Sequence, residues 1–310
     1  MRILPAPRLS ILIYHRVLAH PDPLFPGEVD ALVFARHLAL LKRYFRVMPL
    51  IDAVRLLERK QLPARAACIT FDDGYADNAE VALPILQQYG LCATFFIATG
   101  FLDGGLMWND KVIDLVRQAA GERLDLSANG LGCFDITSLP MRRHAIDALL
   151  NALKYLPPEH RRERVDRICG SGRPDGVMMS SEQVLGLHRA GMEIGAHTVN
   201  HPILAQMPDK TARAEILHSR ERLEDITRHK VRLFAYPNGK PGNDYGPSHV
   251  EIVKELGFHA AVATMWGAAS NASDRFQLPR FTPWDRNRLR FMLRIGQNMF
   301  RSKLNNENSF

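Results

Sequence analysis

The chain has no long hydrophobic run. Its first apolar stretch, residues 9–14, is broken at once by His15 and Arg16, which leaves it too short for a membrane span or the core of a signal peptide. Cysteine is scarce: Cys68, Cys92, Cys133 and Cys169 lie far apart and form no CxxC, a pattern that suits buried thiols in a reducing cytoplasm. No disorder signature appears before the tail at 304–310. Neither charge sign dominates, because 40 Lys and Arg stand against 33 Asp and Glu. The net charge of +7 and pI of about 9.4 therefore come from dispersed basic residues, which argues against nucleic-acid binding. What the 310 residues do contain, at 46% apolar and 24% charged, is a soluble globular protein with ample core. That length fits one large domain, or one domain with an insertion.

Two stretches carry chemistry. The run Ala66-Ala67-Cys68-Ile69 reads as a short buried strand, and Thr70-Phe71-Asp72-Asp73-Gly74 follows it. Two ionised carboxylates at a strand mouth repel each other unless a cation or a shared proton relieves them. Taken alone, Asp-Asp-Gly also reads as a solvated turn. The second stretch, residues 192–202, is an apolar run ending in His197 and His201, with Pro202 after them. If the chain turns helical there, the four-residue spacing puts both imidazoles on one face, and Pro202 suits the first turn. Two histidines and a carboxylate with open positions form a common hydrolytic metal set.

Thr70-Phe71-Asp72-Asp73-Gly74 together with His197-Thr198-Val199-Asn200-His201-Pro202 resembles the polysaccharide deacetylases of carbohydrate esterase family four, the nodulation-type deacetylase domain. The resemblance covers roughly residues 9–100 and 180–283 and is weak between them. Tyr14-His15-Arg16-Val17 is similar to the opening of an exopolysaccharide branch of these enzymes. The resemblance implies that Asp72 is the catalytic base and that Asp73, His197 and His201 hold a divalent metal, zinc first among the choices. Residues 231–239 resemble the family's third motif, in which Asn238 would give its backbone N–H to the oxyanion. Many members carry an Arg at the position of Ala235 to orient the base; Arg280 is the candidate to supply that role here. Members commonly protonate the leaving amine from a histidine in a Leu-x-His motif; no such motif is recognised here, and His15 is the candidate substitute, with His259 behind it. The implied reaction removes acetyl groups, N-acetyl foremost, from a polysaccharide, oligosaccharide or glycan precursor. O-acetyl hydrolysis would use the same machinery. Alternatives are a non-catalytic carbohydrate-binding barrel and a hydrolase of a non-sugar amide on the same fold.

Strand patterns at 9–14, 66–69, 91–98, 192–197, 231–239, 258–264 and 276–281 alternate with helical ones at 29–45, 50–60, 78–89, 207–230 and 248–256. A capping box at Ser180-Ser181-Glu182-Gln183 opens a further helix ending near Gly191. The alternation predicts an α/β fold, a distorted (β/α)7 barrel with its site at the carboxyl ends of the strands. The barrel is expected from residues 1–100 and 180–303. Residues 101–179, with helical patterns at 110–120, 141–156 and 159–169, are expected as a helical insertion within it. Trp108 opens that insertion, either to stack on a sugar ring or as a core residue. Residues 285–303, rich in Arg, form a closing helix, or alternatively one that rests on an anionic membrane surface. With no export signal, a cytoplasmic location peripheral to the inner membrane is expected, where the chain would meet a glycan precursor.

Overall fold

The structure, a computed structural model, describes residues 7–170 and 176–300. The expected tail at 304–310 lies outside the described residues. Strand β1 (Leu9–Tyr14) is apolar on both faces and wholly buried, as a parallel strand covered on two sides must be. Helix α1 (Ala31–Tyr44) begins where the Asp30 side chain accepts the Val33 N–H. The two-residue strand β2 (Arg46–Val47) and helix α2 (Leu50–Glu58) lead to β3 (Ala66–Phe71), buried throughout.

The helix expected at 78–89 opens as a π-helical turn, Asn78–Ala82, before becoming α3 (Leu83–Tyr89). The side chains at this turn are tied to the end of β1. Asn78 donates to the His15 carbonyl at 2.9 Å, and Asp77 takes Arg16 at 2.7 Å.

Strand β4 (Thr94–Ile97) is followed by a region with an apolar cluster of its own. This region comprises α4 (Trp108–Gln118), β5 (Arg123–Asp125), β6 (Cys133–Asp135), α5 (Leu139–Lys154) and α6 (Pro158–Cys169). Val112, Val116, Ile146, Leu149 and Val165 lie at its centre. The antiparallel hairpin β5–β6 has no counterpart in the sequence reading. Its strands are only three residues long, too short for a period-two pattern to show. Cys133 on β6 is exposed, contrary to the expectation of buried thiols.

Helix α7 (Ser181–Arg189) carries the capping box, Ser180 and Gln183 satisfying each other's backbone N–H groups. Then come β7 (Glu193–Ala196), α8 (Asp209–Thr227), β8 (Leu233–Ala235), α9 (Pro247–Glu255), β9 (Ala260–Val262) and α10 (Arg288–Phe300). The sheet runs β1-β3-β4-β7-β8-β9, every pairing parallel, with β2 beside β3.

The segment expected as a last strand, 276–281, closes the circuit without being continuous. Leu278 pairs with Ala261 and Ala263, whereas Phe281 pairs with Ile11 and Ile13. Pro279 has no N–H to give, and the chain changes partner across it. The result is a distorted barrel with every parallel strand end at one mouth. Helix α10 packs on this seam: Phe291 and Ile295 are fully buried, and Phe291 stacks on His37 with ring centroids 4.1 Å apart. Among the described residues no helix is long and apolar enough to cross a membrane.

Candidate active site

Because the strands are parallel, residues that follow them gather at one rim. His15 follows β1, Asp72 and Asp73 follow β3, His197 follows β7, and Asn238 lies three residues past β8. All line a single cavity of about 530 Å³, with Trp108 and Asp110 of α4 in another part of its wall.

Asp73 and Gly74 both take left-handed backbone, at φ 78° and 93°, so the chain turns sharply as it leaves β3. A Cβ on Gly74 would sit 3.0 Å from the Ile97 side chain on β4, so glycine serves both conformation and close approach. Asp73, Thr198, His201 and Asn238 are four of the eight non-glycine residues with positive φ among the described residues, and all four belong to this site. Strain gathered where side chains must converge is a common feature of functional sites.

Asp72 is 2% exposed and is met head-on by Arg280. The guanidinium donates to both carboxylate oxygens, at 2.7 and 2.6 Å. Arg280 is itself fixed by bonds to the Ala263 carbonyl and the Thr70 hydroxyl. Burial alone would raise the Asp72 carboxyl, but the charge and hydrogen bonds of Arg280, together with the His197 and His15 imidazoles, hold the group below the usual carboxylate range.

The second carboxylate, Asp73, faces the histidines. Its Oδ1 lies 3.4 Å from Nε2 of His197 and 3.4 Å from Nε2 of His201. That oxygen is buried and accepts no hydrogen bond from any described residue. His197 Nδ1 donates to the Ala235 carbonyl at 2.7 Å, which fixes the tautomer and leaves the Nε2 lone pair free. Burial pushes the His201 imidazole down to about 4, so it is neutral near pH 7. Against the opposing effect of burial, the His201 and His197 imidazoles hold the Asp73 carboxyl well below its ordinary value.

The two histidines do not converge through a helix, contrary to the conditional expectation. Residues 197–201 form a loop in which the Thr198 hydroxyl accepts the His201 N–H. Glu215 of α8 accepts from Val199 N, Asn200 N and the Asn200 side chain. The loop lies against Gly100, where a Cβ would come within 2.7 Å of the Val199 carbonyl. Helix α8 therefore also holds this loop in place. Nothing in its run of charges marks Glu215 as different from its neighbours.

Donor atoms of Asp73, His197 and His201 all lie within 4.8 Å of one another. An orphaned buried carboxylate oxygen, an oriented imidazole and a neutral imidazole, all aimed at one point, fit a divalent cation with nitrogen and oxygen ligands.

The remaining expected residues separate. His15 is exposed on the cavity rim. Asn238 at φ 58° gives its carbonyl to Thr264, and its N–H has no partner among the described residues. His259 precedes β9, so it sits at the opposite end of the barrel, in a groove with Arg275 and 3.6 Å from Glu58. Leu18-Ala19-His20 spells the Leu-x-His pattern in the loop after β1, but the exposed His20 is not part of the cavity lining. Trp108 is half-buried and lies beneath the Arg161 guanidinium, 5.0 Å from it.

A parallel barrel with paired carboxylates and two histidines at its carboxyl mouth defines the class as a hydrolase-type (β/α) barrel. The chain belongs to the polysaccharide deacetylase family, whose profile matches residues 59–156 and 158–261. That match runs through most of the inserted region, so the resemblance is broader there than the motifs alone suggested. YxkH of Bacillus subtilis (strain 168), assigned by name to the polysaccharide deacetylases, is 20% identical over 275 residues, covering 88% of this chain and 70% of that protein. In fold the chain is similar to the Streptococcus pyogenes deacetylase PplD, solved in complex with acetate. The TM-score is 0.63 at 21% identity, over 93% of this chain and 98% of that one. It is also similar to IcaB from Ammonifex degensii, with a TM-score of 0.59 at 19% identity over 92% and 97% of the two chains.

Proposed function

We propose that this chain is a divalent-metal-dependent deacetylase, with zinc the first choice of ion, that removes acetyl groups, N-acetyl foremost, from a bacterial polysaccharide, oligosaccharide or glycan precursor. The observation that carries this reading is the unpartnered Oδ1 of Asp73, set between two imidazole nitrogens beside a second carboxylate clamped by Arg280.

Asp73, His197 and His201 would hold the ion, which when bound polarises the acyl carbonyl and acidifies water. Asp72, kept ionised by Arg280, takes the proton from the attacking water. The bidentate clamp makes it a weak base but fixes its orientation, so transfer depends on position more than on basicity. The N–H of Asn238, which lines the cavity and has no partner among the described residues, is the donor for the developing oxyanion. His15, exposed on the rim, hands a proton to the departing amine.

In the same reading the glycan is met on the cytoplasmic side of an anionic membrane. Helix α10 offers exposed Leu289 and Leu293 beside Arg288 and Arg290, while its other face is buried.

The test is acetate release from an N-acetylglucosamine oligosaccharide by protein stripped with chelator and then reloaded with zinc. Activity lost on stripping and restored on reloading is expected. Equal acetate release with and without metal would overturn the metal role, and none under either condition would overturn the reading on this substrate class.

A further inference from the structure

The inserted helices give the cavity a cationic wall that the steps above do not use. Among the described residues, Arg117, Lys154 and Arg161 of these helices line it, together with Arg16 after β1. Arg16 is paired with Asp77 at 2.7 Å and Arg117 with Asp22 at 2.6 Å. Lys154 and Arg161 have no carboxylate partner among the described residues.

Arg161 on α6 is the less expected of the two, because it is only 7% exposed. Its guanidinium lies over the Trp108 ring and, among the described residues, donates only to the carbonyl of Lys154 at the end of α5, at 2.8 Å. Among the described residues none of its other nitrogens is sealed from solvent without a partner, and the residue lines the cavity. Burial lowers its pKa, and no neighbouring carboxylate offsets the effect.

Glu28 and Asp110, carboxyls of the same cavity wall, form no ion pair with Arg161. Burial raises both Glu28 and Asp110, the latter to about 7, and Asp110 accepts from the Tyr75 hydroxyl at 3.1 Å. A buried cation without an anion is costly, and a helix-end carbonyl compensates only part of a full charge.

We propose that Arg161, with Lys154 beside it, forms a subsite for an anionic substituent of the glycan, a phosphate or a carboxylate. The proposal rests on the deacetylase reading for the identity of the ligand as a glycan. A planar guanidinium held over an indole can offer two parallel bonds to such a group. Neither residue touches the reacting atoms, so both determine specificity rather than chemistry.

Calorimetric titration tests this with three probes: N-acetylglucosamine, N-acetylglucosamine 1-phosphate, and an N-acetylated disaccharide bearing a uronate. Wild-type protein should bind at least one anionic probe about 10–100-fold more tightly than the neutral sugar, the range expected for charged hydrogen bonds. The tighter of the two identifies the anion. A bound metal also attracts phosphate, so the deciding quantity is the difference between wild type and variant. Arg161→Gln should remove the preference and leave neutral-sugar affinity unchanged, while Arg161→Lys keeps part of it. Should Arg161→Gln fail to fold, Lys154→Gln decides by losing part of the preference. Equal binding of neutral and anionic probes by wild type overturns the subsite. So does a variant that weakens all probes alike, or an unchanged preference in Lys154→Gln. Tight anionic binding without acetate release would sink the deacetylase reading and leave the subsite standing.

Discussion

Arg280 closes on Asp72 from 208 positions away in the sequence, and both of its terminal nitrogens meet the carboxylate. The arginine side chain is fully buried and the aspartate side chain is 3% exposed. Such a pair contributes little net stability when intact but leaves an uncompensated charge when halved. Arg280→Met should therefore lower unfolding stability by about 3–5 kcal/mol. Adding Asp72→Asn to that variant should restore part of the loss. Denaturant titration of the two variants measures both effects, and a single mutant as stable as wild type would show that Asp72 finds relief elsewhere.

Base and ligand should part under mutation. Asp72→Asn keeps Asp73, His197 and His201 in place, so it should retain metal while losing nearly all turnover. Asp73→Asn, His197→Ala and His201→Ala should each lose metal yet keep the fold, because the barrel core does not depend on one ion. Elemental analysis alongside circular dichroism reads both quantities. Identical behaviour of the two aspartate variants would contradict the division of roles.

His15→Ala should reduce kcat on an N-acetyl substrate by about 10²–10⁴-fold, the range for losing a general acid, with metal content unchanged. The loss should be smaller on an O-acetyl substrate, whose leaving group needs less protonation. His259→Ala, at the far end of the barrel, and His20→Ala, outside the cavity lining, should change little. Near-normal amide turnover in the His15 variant would remove it from the mechanism.

Glu193 on β7 couples stability to pH. Burial raises its carboxyl to about 7, although Thr94 and the Ile51 N–H donate to it. A folded-state value above the unfolded one means the folded chain binds the proton more tightly. The associated stability is complete below about 4.5 and is lost as pH rises through about 7. Glu193→Gln should leave stability nearly unchanged at pH 4 and raise it by roughly 1–3 kcal/mol at pH 8. Melting curves at the two pH values check this, and an equal shift at both would rule out the titration.

Local signals in the sequence were enough for the parts whose physics is local. An apolar run ending in Asp72-Asp73-Gly74 marked a strand mouth, because the glycine, the preceding Asp and the buried run all act within a few residues. The capping box at Ser180 and Gln183 was legible for the same reason, its two bonds spanning one helical turn. Strand and helix alternation carried the barrel, because parallel pairing requires a crossover after each strand.

Other features depend on contacts between distant segments. The bend at 197–201 is set by Glu215 and by the missing side chain at Gly100, neither of which any pattern around the histidines reveals. Continuous strand pairing at 276–281 was overruled by Pro279 and by the change of partner from β9 to β1. Arg280 could be singled out from sequence as a strand-end arginine, but only the closed barrel puts it on Asp72. Nothing in the run Arg161-Arg162-Glu163-Arg164 sets Arg161 apart. Its burial over Trp108 arises where α4 and α6 meet, and a one-dimensional pattern carries no record of which helices pack together.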